Sequence, residues 1–286
     1  MPAGRGKLLP KFLIWQSLLL KECMVALSWQ GINGAIVGQK YSLEKLLMAS
    51  GDQATFAGTL LPTGDRITVT CFPASEERYC WPGYAFNLRH PRLRAVLGTG
   101  EDLIEGCLVR YVVLEPVDAL LSDCLVDEGP LTTTLARKFM QDLVAGLHYL
   151  HHNNLVYFNL RPATIARVDQ NWQLADLALL RRAGLVDPAE SRRFLTLSPQ
   201  TPPDAYTGLV SPAWDIYSLG VTLNQCMLGE EGMRSGRTQR LPAPFDMIVR
   251  GCLAPEPDDR ISLDEIAYVV GMDLGRGGQS RQAMAS

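Results

Sequence analysis

The chain has 286 residues and a net charge of -3, with 27 Lys and Arg against 30 Asp and Glu. A hydrophobic fraction of 47% and a charged fraction of 20% belong to a folded globular chain, with enough core for one large domain or two small ones, and exclude disorder. The balanced charge, without a polybasic run, argues against a nucleic-acid partner.

Residues 12–20, FLIWQSLLL, are very apolar, but Lys21 and Glu22 interrupt the run before CMVALSW resumes. A membrane-spanning helix needs about 20 mostly apolar residues without such charges, and no small-residue cleavage site follows the run. Residues 1–37 therefore read as an amphipathic N-terminal extension, with membrane association through residues 12–29, or export, as the open alternatives. YSLEKLL (41–47) and TFAGTLL (55–61) flank the polar turn ASGDQA and read as a hairpin. RITVTCF (66–72) follows the turn Pro62-Thr63-Gly64-Asp65 and reads as a third strand; further strands are expected near 93–98 and at 107–115. The first ~115 residues are thus mostly β.

The pattern then changes period. Leu135, Phe139, Leu143, Leu147 and Leu150 recur every three or four residues and mark one face of a helix, with threonines available as caps at its start. A second apolar helix is expected from about Pro212 to Leu228, and a third from near Pro244 through Ile248 to Cys252 and Leu253. A fourth follows Ser262, with Asp264 and Glu265 in its first turn where they suit the helix dipole. Residues 273–286 read as a loose tail. The seven cysteines, Cys23, Cys71, Cys80, Cys107, Cys124, Cys226 and Cys252, form no CxxC pair; several lie in apolar runs, so buried reduced thiols and a cytoplasmic setting are expected, with a disulfide framework or a zinc site as the alternative.

Within residues 135–180, a long helix ending in LHYLHHNN is followed by LVYFNLRPATIARV and then WQLADLALL. This run resembles the catalytic core of eukaryotic-type Ser/Thr protein kinases, where a His-Arg-Asp-Leu-Lys-Pro-x-Asn loop precedes Asp-Phe-Gly. Leu160, Pro162, Ile165 and Asp176 fall at the family's positions. LSPQ (197–200) looks like Ala-Pro-Glu, WDIYSLGVTL (214–223) like the helix that anchors the large lobe, and Asp258-Asp259-Arg260 like the last family marker. The resemblance covers about residues 38–272. It implies an α+β, two-lobe fold, with a β-rich N-lobe at about 38–115 and a helical C-lobe at about 116–272.

The catalytic words depart from the family. The three glycines of its phosphate-covering loop map to Met48, Ser50 and Gln53, and only Gly51 remains nearby. The phosphate-pairing lysine maps to Thr70, and its glutamate partner maps to Trp81, nine residues before His90-Pro91, with Glu76 or Glu77 as substitutes. Asn159 stands where the family has its aspartate base, and an amide cannot accept a hydroxyl proton as a carboxylate does. Arg161 replaces the loop lysine and keeps the charge. Thr164 replaces the second magnesium ligand with a shorter, weaker one. Asp176-Leu177-Ala178 stands for Asp-Phe-Gly; Asp176 either retains a role toward a cation or caps a turn. Lys45, Gly51, Leu114 and Asp176 are the residues left to form an ATP cleft.

Packing words persist where charged catalytic ones are gone. The resemblance implies that Asp215 binds catalytic-loop N–H groups, that Arg260 meets Gln200 in a charge-assisted hydrogen bond in place of an ion pair, and that Tyr157 and Leu177 fill the space of the family's His and Phe. Loss of a general base costs about 10²–10⁴ in rate, and of a charged transition-state partner a further ~10²–10³. The expectation is a pseudokinase whose partner is another protein, such as an active kinase or signalling enzyme, and which requires no cofactor. The alternatives are an atypical or weakly active ATP-dependent Ser/Thr kinase or nucleotide transferase, in which Lys45 reaches phosphate beside Arg161 and Asp176, and a chain that binds ATP and magnesium without reaction. Ser191, Thr196 and Ser198 are candidate phosphorylation sites.

Overall fold

A computed structural model describes residues 28–50, 53–74, 85, 87–177, 179–186, 199–234 and 240–274. Their contacts divide them into two compact units, one of residues up to 74 together with 96–116, the other of residues 85–95 together with 117–274.

The first unit is one sheet of seven strands: β1 (Ile36–Val37), β2 (Tyr41–Ser42), β3 (Lys45–Ser50), β4 (Gln53–Leu60), β5 (Asp65–Pro73), β6 (Val96–Ile104) and β7 (Cys107–Leu114). Their order is β1-β2-β4-β5-β7-β6, with β3 also on β4. The expected hairpin is β3–β4, paired from Lys45 opposite Ala57 to Ser50 opposite Gln53, while Tyr41 and Ser42 split off as their own short strand. The strand expected near 93–98 begins at Val96 and continues to Ile104. Alternation sets the core: Ala54 and Phe56 of β4, Val69 of β5 and Val113 of β7 are fully buried together with Leu43. Ile32 and Val37 join the same core, with Trp29 and Ala35 packed on it, so residues 28–37 belong to this unit rather than to an extension. Their apolar side chains supply surface that the sheet would otherwise leave exposed.

The second unit holds β8 (Ala119–Leu120), α1 (Leu121–Asp127), α2 (Thr133–His152), β9 (Leu155–Val156), β10 (Ile165–Val168), β11 (Asn171–Leu174), β12 (Arg181–Arg182), α3 (Ala213–Arg234), α4 (Phe245–Cys252) and α5 (Leu263–Val269). The side chain of Thr132 caps α2 by accepting the Leu135 N–H. Ala136, Phe139, Met140, Leu143, Leu147 and Leu150 are wholly buried along one face of α2; Leu135, expected on that face, is 44% exposed in the first turn. Helix α3 starts where expected and is broken at Gly229, whose φ of 66° no helix interior adopts. Ser262 and Glu265 cap α5 reciprocally.

Residues 85–95, expected in the small lobe, are held by the second unit. The Arg94 N–H donates to the Leu174 carbonyl and the Leu174 N–H to the Arg92 carbonyl, at 3.0 and 2.9 Å. Arg92 pairs with Asp142 of α2 at 2.7 Å, and Asp142, 2% exposed, also accepts from Lys138 and from the Trp172 N–H. Close approach is possible because α2 presents Gly146 here: a Cβ would lie 3.2 Å from the Arg92 carbonyl oxygen. Among the described residues no helix is long and apolar enough to cross a membrane. Residues 12–27 of the apolar N-terminal run and 275–286 of the expected tail lie outside the described residues.

Candidate functional site

The segment 157–164 joins β9 to β10 and is organised around a buried carboxylate. Asp215, in the first turn of α3, is 0% exposed. It accepts the Tyr157 N–H at 2.7 Å, the Phe158 N–H at 2.9 Å and His151 Nε2 of α2 at 2.9 Å. Three donors compensate the charge. Successive N–H groups converge on one side chain because Phe158 takes a left-handed φ of 70°, which turns the chain sharply there.

Tyr157 is completely buried; its hydroxyl donates to the Thr164 carbonyl at 2.7 Å and accepts the Asp176 N–H at 3.0 Å. Burial, and then the charge of Asp176, push its phenol above the ordinary range, so it serves as a neutral tie between the loop and residue 176. Leu177 is 3% exposed beside it. The Asn159 amide donates from Nδ2 to Asp176 Oδ2 at 3.1 Å. Thr164, 4% exposed, turns its hydroxyl back into the loop: Oγ1 lies 2.5 Å from the Asn159 carbonyl and 3.0 Å from that of Arg161, and it accepts the Arg161 N–H at 3.2 Å. Arg161 itself is exposed.

Arg260 is the other buried charge; its side chain is 1% exposed. Its carboxylate partner is Asp204, and its remaining donors reach the carbonyls of Ala254, Ala213 and Pro255. The expected partner, Gln200, instead donates to Gln225 at 3.1 Å. The reason is local: the short 3-10 turn Pro203–Thr207 carries Asp204 in its first turn and delivers a full negative charge to the guanidinium, which an amide cannot match.

In the first unit, Thr70 sits on β5, 6% exposed, with its hydroxyl 3.2 Å from that of Thr55 on β4. Leu114 ends β7, 3% exposed, between Thr68 and Val96. Lys45 is exposed at the start of β3, opposite Ala57. Met48 and Gln53 are half-buried at the hairpin end. Gly51, Glu76, Glu77, Trp81, Ser191, Thr196 and Ser198 lie outside the described residues.

The family model "Protein kinase domain" matches residues 86–269. The chain belongs to the protein kinase domain family. It is similar to the Serine/threonine-protein kinase PknB of Mycobacterium tuberculosis, 27% identical over 199 residues, which is 60% of this chain and 32% of that protein. PknB of Mycobacterium leprae is 28% identical over 196 residues, with the same shares covered. The SNF1-related protein kinase catalytic subunit alpha KIN12 of Arabidopsis thaliana is 29% identical over 174 residues, 57% of this chain and 32% of that protein. The match thus spans about a third of the length of these relatives.

As placed here, neither Asn159 nor Thr164 offers an oxygen beside Asp176 of the kind magnesium takes. A hard cation wants several oxygen ligands. Here the Asn159 amide meets the carboxylate with an N–H donor, and the Thr164 hydroxyl points into its own loop. Among the described residues, no group of three His, Cys, Asp or Glu could hold a metal ion.

The contacts made by Phe158 of this loop, with Arg181 and Trp214 beside it, are not visible in the sequence. Phe158 stands where the family motif has arginine, and its ring lies between the guanidinium of Arg181, 5.0 Å from its centroid, and the indole of Trp214, 5.7 Å away. Arg181 is 8% exposed and pairs through β12 with Val156 of β9. The Arg181–Phe158 contact ties residues 181–182 to the loop by packing and cation–π attraction. A small cavity of about 70 Å³ opens beside it, lined by Phe158, Asn159, Arg161, Thr201 and Trp214. The aromatic residue in place of arginine was visible in the sequence; its positive φ and its two partners were not.

Proposed function

We propose that the chain is a pseudokinase: a binding or allosteric module on a protein-kinase fold, with little or no phosphotransfer, whose partner is another protein. The observation that carries this reading is the contact between the Asn159 amide and Asp176. A kinase needs a carboxylate there to take up the hydroxyl proton. The Asn159 amide can donate but has no basic oxygen of comparable strength. Thr70, buried and uncharged on β5, adds a second loss, because no cation at that position meets a phosphate. The scaffold contacts that need no nucleotide are all made: Asp215 to the loop backbone, Tyr157 to residues 164 and 176, and Arg260 to Asp204. The five described cysteines are free and buried, which supports a reducing, cytoplasmic setting.

The test is a pair of measurements on the purified chain and on Asp176→Ala. Thermal shift with millimolar ATP and magnesium reads binding; a phosphorylation assay with magnesium or manganese reads transfer. Transfer at background level in both proteins is expected. A thermal shift without transfer identifies a nucleotide-binding pseudokinase. Robust turnover that Asp176→Ala abolishes overturns the reading. It would install the alternative, a weakly active Ser/Thr kinase, which the retained Asp176 and the exposed cation of Arg161 favour.

A further inference from the structure

All four histidines of the chain gather at the C-terminal end of α2. His148 and His152 are one turn apart with ring centroids 4.0 Å from each other. His151, on the same turn, donates to Asp215. His90, from the segment before β6, stacks on Tyr149 at 4.9 Å. An open concavity of about 300 Å³ gives water access to this turn; His148, His151, His152, Arg260 and Asp264 line it.

We propose that the last turn of α2 is a proton-sensitive latch: with an uncharged His148 packed against His152 it holds the loop at 157–158 through the His151–Asp215 hydrogen bond, and with His148 charged it releases that loop.

The charges facing the cluster explain why it cannot absorb several protons. From α5 comes Asp264, 3.8 Å from His148 but 81% exposed, so its screening of a cation is weak. From α3 comes Asp215, already occupied by two backbone N–H groups besides His151. The segment before β6 contributes Arg92, committed to Asp142, together with Arg89 and His90. Arg260 on the far wall is committed to Asp204. One cation suits a helix C-terminus. A charge on His148 is disfavoured by the other cations facing it, with one solvent-exposed carboxylate 3.8 Å away as its only nearby counter-charge among the described residues.

Burial first, then the neighbouring cations, hold the affinities of His148 and His90 for a proton below the usual histidine range. Such groups take protons more readily in the unfolded chain. Their contribution to stability is complete above about pH 6.5 and is lost as the pH falls. His151 lies on the same turn of α2 as His148 and His152, so opening that turn withdraws its hydrogen bond from Asp215.

Amide hydrogen exchange on the full chain, corrected for the intrinsic pH dependence, tests this between about pH 7.5 and about pH 5.5. Protection of the Tyr157 and Phe158 amides should fall by about tenfold or more on acidification, while the amides of Phe139 and Leu143 in the middle of α2 keep theirs. His148→Gln should remove most of that fall. His152→Gln, at an exposed position, gives the same readout if the first variant does not fold. Unchanged protection at residues 157–158, an equal loss at residues 139 and 143, or an undiminished fall in the folded variants overturns the latch. No nucleotide or partner is involved, so this outcome is independent of the pseudokinase test.

Discussion

Replacing Asn159 by Asp restores the residue that the kinase pattern calls for, and its consequence follows from one distance. In the native chain the amide donates to Asp176 at 3.1 Å. The variant loses a hydrogen bond to a charged group, worth about 1.5–3 kcal/mol. It also sets two carboxylates at that separation, where repulsion is about 1 kcal/mol at the dielectric of water and about 5 kcal/mol at an effective value near 20. Both side chains are half-buried, so the lower part of that range applies. Asn159→Asp should therefore cost about 3 kcal/mol at neutral pH in metal-free buffer. Asn159→Ala removes the bond without adding charge and should cost about half as much. Urea denaturation followed by fluorescence measures both. The decisive arm is magnesium: at about ten times its dissociation constant a bound cation returns about 1.4 kcal/mol. That recovery is expected for the Asp variant and not for the wild type or the Ala variant. If the wild type gains as much from magnesium as Asn159→Asp does, the amide does not block a cation site and the reasoning fails.

Two further outcomes test the rest of the structure. Asp204→Ala leaves the Arg260 guanidinium buried without its counter-charge; carbonyl contacts soften the loss, and a destabilisation of about 3 kcal/mol is expected, against under about 1 kcal/mol for Gln200→Ala. Urea midpoints read both, and the reverse ranking would return the role to Gln200. The thiols of Cys71, Cys226 and Cys252 are each pushed up to about 12 by burial, so at pH 8 they stay protonated and should resist an alkylating reagent until denaturant is added; labelling of any of the three in the native state within minutes contradicts the packing.

What the sequence disclosed, and what it hid, follows from the range of the forces involved. Helix α2 and the start of α5 were legible because they depend on near neighbours in sequence: Phe139, Leu143, Leu147 and Leu150 declare a face, and Ser262 followed by Asp264 and Glu265 declares a start, which the structure makes a reciprocal cap. The resemblance located Asp215 and Tyr157, whose partners are fixed by a loop of known length. The partner of Arg260 was not legible. Gln200 and Asp204 are separated by one turn of chain, and only the 3-10 geometry at Pro203–Thr207 decides which of them faces the guanidinium. Residues 28–37 and 85–95 were misassigned for a similar reason. Ile32 and Arg92 carry no local signal for the unit they join; one is recruited by an apolar core and the other by Asp142, both distant in sequence.

The structure also separates two tasks that kinase residues usually share. Asp215, Tyr157 and Asp204 stabilise through contacts made entirely within the folded second unit, so losing them would penalise the fold itself. Asn159, Thr164 and Thr70 occupy positions where the family pattern has an aspartate, an asparagine and a lysine, which in an active enzyme serve the substrate hydroxyl, a metal ion and a nucleotide phosphate. Each has been converted into a local tie: an amide onto Asp176, a hydroxyl onto two loop carbonyls, and a hydroxyl beside Thr55. At Asn159 and Thr70 a charged group that must be kept solvated or paired gives way to a neutral one whose hydrogen bond is met inside the protein, and at Thr164 one neutral side chain replaces another and turns into its own loop. A loop arranged this way is held by its own contacts in the absence of ATP.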